Sequence, residues 1–266
     1  MPKPRRPNTD HPPIFFTTLL HGKDDTWCMT TETYKKEFPD EIKVFDGRSP
    51  KKPKAKEVEP FAEKELGLLM PRLEGEWIGP LIKFALSSGC RIGEMIGLTW
   101  SDIEFDTDDS RPGFVQISRS VRTNDVNGIV VSPPKTARGR RKIELSSITM
   151  KLLAEKAVVN NSRGLVTDEW TENELVFPSR AGTYSYQSNV LKEFKRICKA
   201  AGIDWTVNLH MCRHSHATIA IKSGVDLHTL SRRMGHSSIS ITADLYGHLI
   251  EGMQSVAAQA FDEIIR

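Results

Sequence analysis

The chain has 266 residues, 38% hydrophobic and 27% charged, with a formal net charge of +3, enough for one large domain with a small accessory part. So small a charge excludes a uniformly basic surface, and any polyanion binding must follow from where the cations lie. Cys28, Cys90, Cys198 and Cys212 form no C-x-x-C pair and no apolar run nears the roughly 20 residues of a membrane span, so a soluble cytoplasmic protein without disulfides is expected.

Residues 1–57 differ from the rest, with Pro-rich and Lys-rich patches around a modest apolar middle. The patch RSPKKPKAK predicts an extended linker, because its prolines forbid a regular helix. Its Arg48, Lys51, Lys52, Lys54 and Lys56 can follow a phosphate backbone, or form a solvated tether. From residue 58 the pattern is regular. EPFAEKELGLLMPRL has apolar positions near helical spacing, with Pro60 suited to an N-terminal turn. WIGPLIKFALSSGC predicts a buried helix despite its proline. RIGEMIGLTWSDIEF puts Arg91 and Glu94 on one helical face and Ile92, Met95, Ile96 and Leu98 toward a core. An arginine in that setting needs a carboxylate or a bound anion, and Glu94 is the local partner.

Across 103–145 the period changes. DIEFDTD, GFVQISRSVRT, GIVVS and RRKIELS are short β-branched runs between turn residues, which predicts a small antiparallel sheet. PPKTARGR lies between the last two as a basic hairpin loop with Lys135, Arg138 and Arg140, followed by Arg141 and Lys142. After Ser146 the chain turns helical again, in SSITMKLLAEKAVVNN and in YSYQSNVLKEFKRICKAAGI, the latter closed by Gly202. EGMQSVAAQAFDEIIR, at the end, has helical spacing and can dock on its own domain or on a neighbouring copy.

The stretch 207–248 concentrates groups that can grip, protonate or attack a phosphate. His210 and Arg213 share a helical face. A break at Ser223-Gly224 precedes a second helix ending at Gly235, and His236 follows that glycine where a turn can aim it into a cleft. Tyr246 comes ten positions later. Three readings compete. His210, Cys212, His214 and His216 form a dense metal-ligand-like cluster, although Arg213 sits inside it and no acidic ligand is near. SGVDLHTLSRRMGHSSISITADLY matches a helix-turn-helix that would put Arg232 and Arg233 on DNA. The third reading is a nucleophilic tyrosine among cations, with Arg91 and Lys135 brought in from earlier in the chain.

The order Arg91 in SSGCRIGEMIGLTWSDI, Lys135 in PPKTARGRRKIEL, His210-x-x-Arg213, His236 in MGHSS and Tyr246 in DLYGHL resembles the tyrosine recombinases of the phage-integrase family. The similarity runs from about residue 58 to the terminus. Cys212 stands where the family's His-x-Leu-Arg motif has leucine. The resemblance implies a mainly α fold with a small antiparallel sheet, and a catalytic domain over 58–266. Many integrases carry a core-binding domain of roughly 90 residues ahead of the linker, so residues 1–57 are expected to be a shortened or divergent version of it.

The activity implied is cleavage and rejoining of DNA through a 3′-phosphotyrosine, without metal or other cofactor, in integration or excision of a mobile element or prophage. Arg91 and Arg213 would hold the phosphate oxygens and His236 would add a hydrogen bond. Tyr246 would attack, Lys135 would protonate the leaving 5′-oxygen, His210 would carry the tyrosine proton and Glu94 would support. Arg138, Arg140, Arg141, Lys142, Lys51, Lys52 and Lys54 are the expected DNA contacts. The implied partners are double-stranded DNA at attachment or core sites and three further copies in a tetramer linked by the C-terminal helix, with room for a DNA-bending accessory protein. The alternative is a regulator or integrase remnant that binds DNA without cutting it.

Overall fold

The computed structural model describes residues 59–105, 112–124, 128–134, 136–166, 171, 174–203, 207–250 and 265. The linker cations Arg48, Lys51, Lys52, Lys54 and Lys56, the loop residue Lys135 and the apolar face of the C-terminal segment lie outside them. The described residues belong to a compact unit, Val58–Arg266. It is mainly helical with two small antiparallel sheets.

Helix α1, Glu63–Arg72, starts after Ala62, whose amide donates to Glu65 (2.8 Å). Pro60 lies ahead of that start and not in the first turn. Helix α2, Gly79–Ser88, explains how WIGPLIKF tolerates its proline: Pro80 falls in the first turn, where an N–H would have no helical acceptor. Gly89 ends α2 in the left-handed region at φ 67°. Helix α3, Ile92–Ile96, follows at once, its start tied by the Glu94 carboxylate accepting from the Arg91 amide (2.9 Å).

The β region divides in two. Strands β1 (Ile103–Glu104), β2 (Gly113–Ile117) and β5 (Arg141–Leu145) form one antiparallel sheet in the order β1-β2-β5, while β3 (Ser120–Asn124) pairs with β4 (Gly128–Ser132) in another. GFVQISRSVRT is therefore two strands. The basic loop after β4 crosses from one sheet to the other and is not a hairpin turn, because β5 pairs with β2 in the register Val115–Ile143.

Helix α4, Ser147–Val166, and helix α5, Gln187–Ala200, flank the segment Leu175–Phe177, whose three side chains are buried. Helix α6 is His210–Lys222, α7 is Leu227–Met234 and α8 is Ile239–Tyr246. The main core gathers α1 to α6 and the three-stranded sheet around Ile82, Phe84, Met95, Ile117, Ile143 and Phe194; each such side chain contributes about 1.5–3 kcal/mol through burial. A second, smaller core of Ala217, Ile221, Leu230, Met234 and Tyr246 joins α6, α7 and α8. No helix among the described residues is long and apolar enough to cross a membrane.

Candidate active site

The site is built on the C-terminus of α7. Asp226 caps the other end, accepting from the amides of His228 and Thr229 (both 2.9 Å), and Gly235 closes the helix at φ 65°. A helix end leaves carbonyls without helical donors and carries partial negative charge. Here three consecutive carbonyls each take a different arginine. Arg233 O accepts from Arg141 Nε (2.6 Å), Met234 O from Arg213 Nη2 (2.6 Å) and Gly235 O from Arg91 Nη2 (3.3 Å). A Cβ on Gly235 would sit 2.8 Å from Arg141 Nη1, so glycine serves both the turn and the close approach of that guanidinium.

Glu94 is the carboxylate among these cations. It accepts from Arg141 Nη1 (3.1 Å) and Nη2 (2.9 Å) and from Arg91 Nη1 (3.0 Å). Burial alone would raise its carboxyl, but the hydrogen bonds and charge of Arg141, with those of Arg91, outweigh that and hold it at about 2. The local partner expected for Arg91 is thus present and is shared with a second arginine. Arg141 departs from its expected role as a DNA contact: it is buried, and its guanidinium is spent on Glu94 and the carbonyls of Gly139 and Arg233.

Arg213, on α6, is buried and donates to Gly89 O and Met234 O (2.6 Å each). Burial and then the charges of Arg91 and Arg141 lower it to about 9. Three guanidiniums therefore face one carboxylate, and the surplus positive charge makes a site for an anion. Arg91, with 39% of its side chain exposed, opens the cluster to solvent.

His236 follows Gly235 and is buried. Its Nδ1 lies 2.8 Å from Thr242 Oγ1, leaving Nε2 for a ligand. Burial, then Arg213, Arg91 and Arg141, push it down to about 4, so it is neutral at neutral pH. Asn208 accepts from the amides of His210 and Met211 (2.9 and 3.2 Å) and so starts α6 at His210. The His210 imidazole is also lowered to about 4, by the surrounding protein and then by Arg213, His214 and Arg91. His210 is solvent-exposed, so the cationic neighbours are the firmer cause.

Tyr246 ends α8, only 4% exposed. Its hydroxyl lies 2.7 Å from Nδ1 of His214, and His210, the expected proton carrier, touches only the edge of the His214 ring (centroids 5.7 Å apart). The structure thus gathers Arg91, Glu94, His210, Arg213, His236 and Tyr246, and adds Arg141, His214 and Thr242.

Of the remaining expected cations, Arg138 is exposed and donates to Ser237 O (2.8 Å), which ties the basic loop beside His236. Arg140 is exposed, and Lys142 pairs with Glu104 and lies over Phe114 (4.3 Å). The helix-turn-helix reading needed a free Arg233, yet Arg233 donates to Glu144 O, Ser87 O and His216 Nε2. The metal-like cluster is dispersed: Cys212 packs in the main core, and His216 Nδ1 lies 2.9 Å from Leu86 O.

A mainly helical unit with a small sheet, holding arginines from three elements beside a buried tyrosine, has the architecture of a tyrosine recombinase catalytic domain. Residues 63–252 match the model of the phage integrase family, and the chain belongs to that family. Among curated relatives, it is 31% identical over 219 residues to a tyrosine recombinase XerC-like protein of Caldanaerobacter subterraneus, covering 78% of this chain and 55% of that one. It is 30% identical over 189 residues to the ICEBs1 integrase of Bacillus subtilis, covering 68% and 47%. The chain thus spans about half the length of the curated relatives it matches. The integrase of transposon Tn1549, solved in complex with transposon right end DNA, shares its fold at a TM-score of 0.65 and 18% identity, over 85% of this chain and 76% of that one. The XerA recombinase does so at 0.57 and 21%, over 77% and 66%.

Proposed function

We propose that this chain is a site-specific DNA recombinase that cuts and rejoins strands through a 3′-phosphotyrosine at Tyr246. The observation that carries the reading is a buried tyrosine hydroxyl in the same site as three guanidiniums that only one carboxylate offsets. A phosphodiester repels an oxygen nucleophile until its charge is neutralised. Arg91 and Arg213 supply that neutralisation through donors left over from their backbone bonds, and His236 adds a hydrogen bond through Nε2. Glu94, itself held by Arg141, keeps Arg91 in place. Because the arginines provide the charge, cleavage proceeds in chelator.

Tyr246 attacks phosphorus, the tyrosine ester forms, and the 5′-oxygen leaves with a proton from Lys135. Storing the bond energy in the ester allows the reverse step to rejoin a different 5′-hydroxyl. Double-stranded DNA at an attachment or core site is the substrate. Arg138, Arg140 and Lys142, with Lys51, Lys52 and Lys54 of the linker, contact its backbone. The relatives named as integrases support integration or excision of a mobile element. On this reading it takes place in the cytoplasm, in a tetramer linked by the C-terminal helix, with a DNA-bending protein assisting. Residues 58–266 form the catalytic domain.

The test incubates the full chain, in chelator, with nicked duplexes tiled across the DNA flanking its gene. A detergent-stable adduct with the wild type and none with Tyr246→Phe supports the reading. DNA binding without adduct in both would replace it with a non-cleaving DNA-binding regulator.

A further inference from the structure

Tyr246 and His214 belong to different helices, α8 and α6, which the small core joins. The phenol oxygen is 2.7 Å from His214 Nδ1 and the two ring centroids are 5.8 Å apart. Burial pushes the phenol up to about 12, and burial followed by the Arg213 charge lowers the His214 imidazole. A protonated phenol beside a neutral imidazole leaves one arrangement: the phenol O–H donates, Nδ1 accepts and the ring proton sits on Nε2. No other hydrogen-bond partner of the hydroxyl occurs among the described residues, and His210 reaches it only through the His214 ring.

The geometry points to His214 as the catalytic base of Tyr246, a role that rests on the phosphoryl transfer proposed above. As the phenol oxygen bonds to phosphorus, its O–H bond breaks and the proton passes to His214 Nδ1. The bond from phosphorus to the 5′-oxygen breaks in the same step, and that oxygen takes its proton from Lys135. Rejoining reverses each transfer. In the resting site the phenol keeps its proton, because it is a far weaker acid than the imidazolium. Transfer becomes favourable only as the oxygen gives up electron density to phosphorus. The tyrosine is thereby kept unreactive until a phosphate is seated, and His210, edge-on to His214, is a positioning residue.

The experiment uses the full chain and any nicked duplex on which the wild type forms adduct. His214→Asn supplies an oxygen near the Nδ1 position that accepts the phenol hydrogen bond but takes no proton. It is expected to slow adduct formation by about 100-fold or more with DNA binding intact. A fluorinated, more acidic tyrosine incorporated at position 246 is expected to recover most of that loss. Adduct formation within about threefold of wild type in His214→Asn, or a slow variant that the acidic tyrosine does not rescue, overturns the proposal and leaves His214 as a structural partner. Nitrogen NMR of the wild-type histidines gives a second test that needs no variant: a protonated Nδ1 on His214 overturns the role, and a bare Nδ1 supports it. A wild type that forms no adduct on any duplex overturns the recombinase reading itself, which separates the two failures.

Discussion

Replacing Glu94 with Gln tests how the site is held together. The carboxylate accepts two hydrogen bonds from Arg141 and two from Arg91, counting the Arg91 amide, and its side chain is 4% exposed. Glutamine keeps the shape but turns one acceptor into a donor facing guanidinium donors, and it strands the buried Arg141 charge. Two routes give the magnitude. A carboxyl held at about 2 against its ordinary 4.5 contributes about 3 kcal/mol at neutral pH. Breaking one side of a buried ion pair costs about 3–5 kcal/mol in general. For a unit of this size that lowers Tm by on the order of 10 °C.

The sign follows from linkage. A depressed carboxyl stabilises fully above its unfolded value and loses that contribution as pH falls through the folded one, so wild type and Glu94→Gln should converge near pH 2. The assay is urea or thermal unfolding of Glu94→Gln, Arg141→Met and the double variant Glu94→Gln/Arg141→Met at pH 7. The double should cost less than the sum of the two singles, because both singles break the same buried Glu94–Arg141 pair. A Glu94→Gln loss below about 1 kcal/mol, or a double variant equal to the sum of its parts, would refute the shared-carboxylate account.

Arg213→Lys should abolish adduct formation, since one ammonium cannot span Gly89 O and Met234 O and still grip a phosphate; adduct at wild-type rate would contradict this. Thr242→Val should cost about 1 kcal/mol and slow cleavage by freeing the His236 ring, while Thr242→Ser restores the bond; equal rates in both would dismiss Thr242. Between pH 6.5 and 4 the unfolded chain binds protons that neutral His236 and His216 refuse, both being lowered to about 4. Stability must therefore rise with pH across that window, by up to about 3 kcal/mol for buried His236. In chemical denaturation from pH 4 to 7, a flat or falling profile would contradict their neutral state.

Much of the site was legible because its residues sit beside punctuation that local physics fixes. Arg91 follows the αL residue Gly89 by two positions, His236 follows Gly235, and His210 and Arg213 share a turn of α6. Arg141 was misjudged, although the sequence held a signal: in RKIEL it alternates with Ile143 and Leu145, and all three face inward. A lone arginine in the inward register of a strand calls for a buried carboxylate, and the run of basic residues around it hid that. Helix α8 was foreseen only in the helix-turn-helix reading, because SISITADLY is rich in β-branched residues that disfavour helix. A Ser238 cap and the burial of Thr242 and Tyr246 outweigh that propensity. The pairings of His214 with Tyr246 and of His236 with Thr242 depend on how α8 folds back, which no spacing along the chain encodes.

The central claim is the covalent link, and its polarity is the most direct test. Adduct from a nicked duplex would be digested and the nucleotide-bearing peptide located by mass spectrometry, while the freed DNA end is offered to a polynucleotide kinase. The account predicts a 3′-phosphonucleotide on Tyr246 and a 5′-end that accepts phosphate without prior phosphatase treatment. A link to any other residue, or a 5′-phosphate at the freed end, would contradict it.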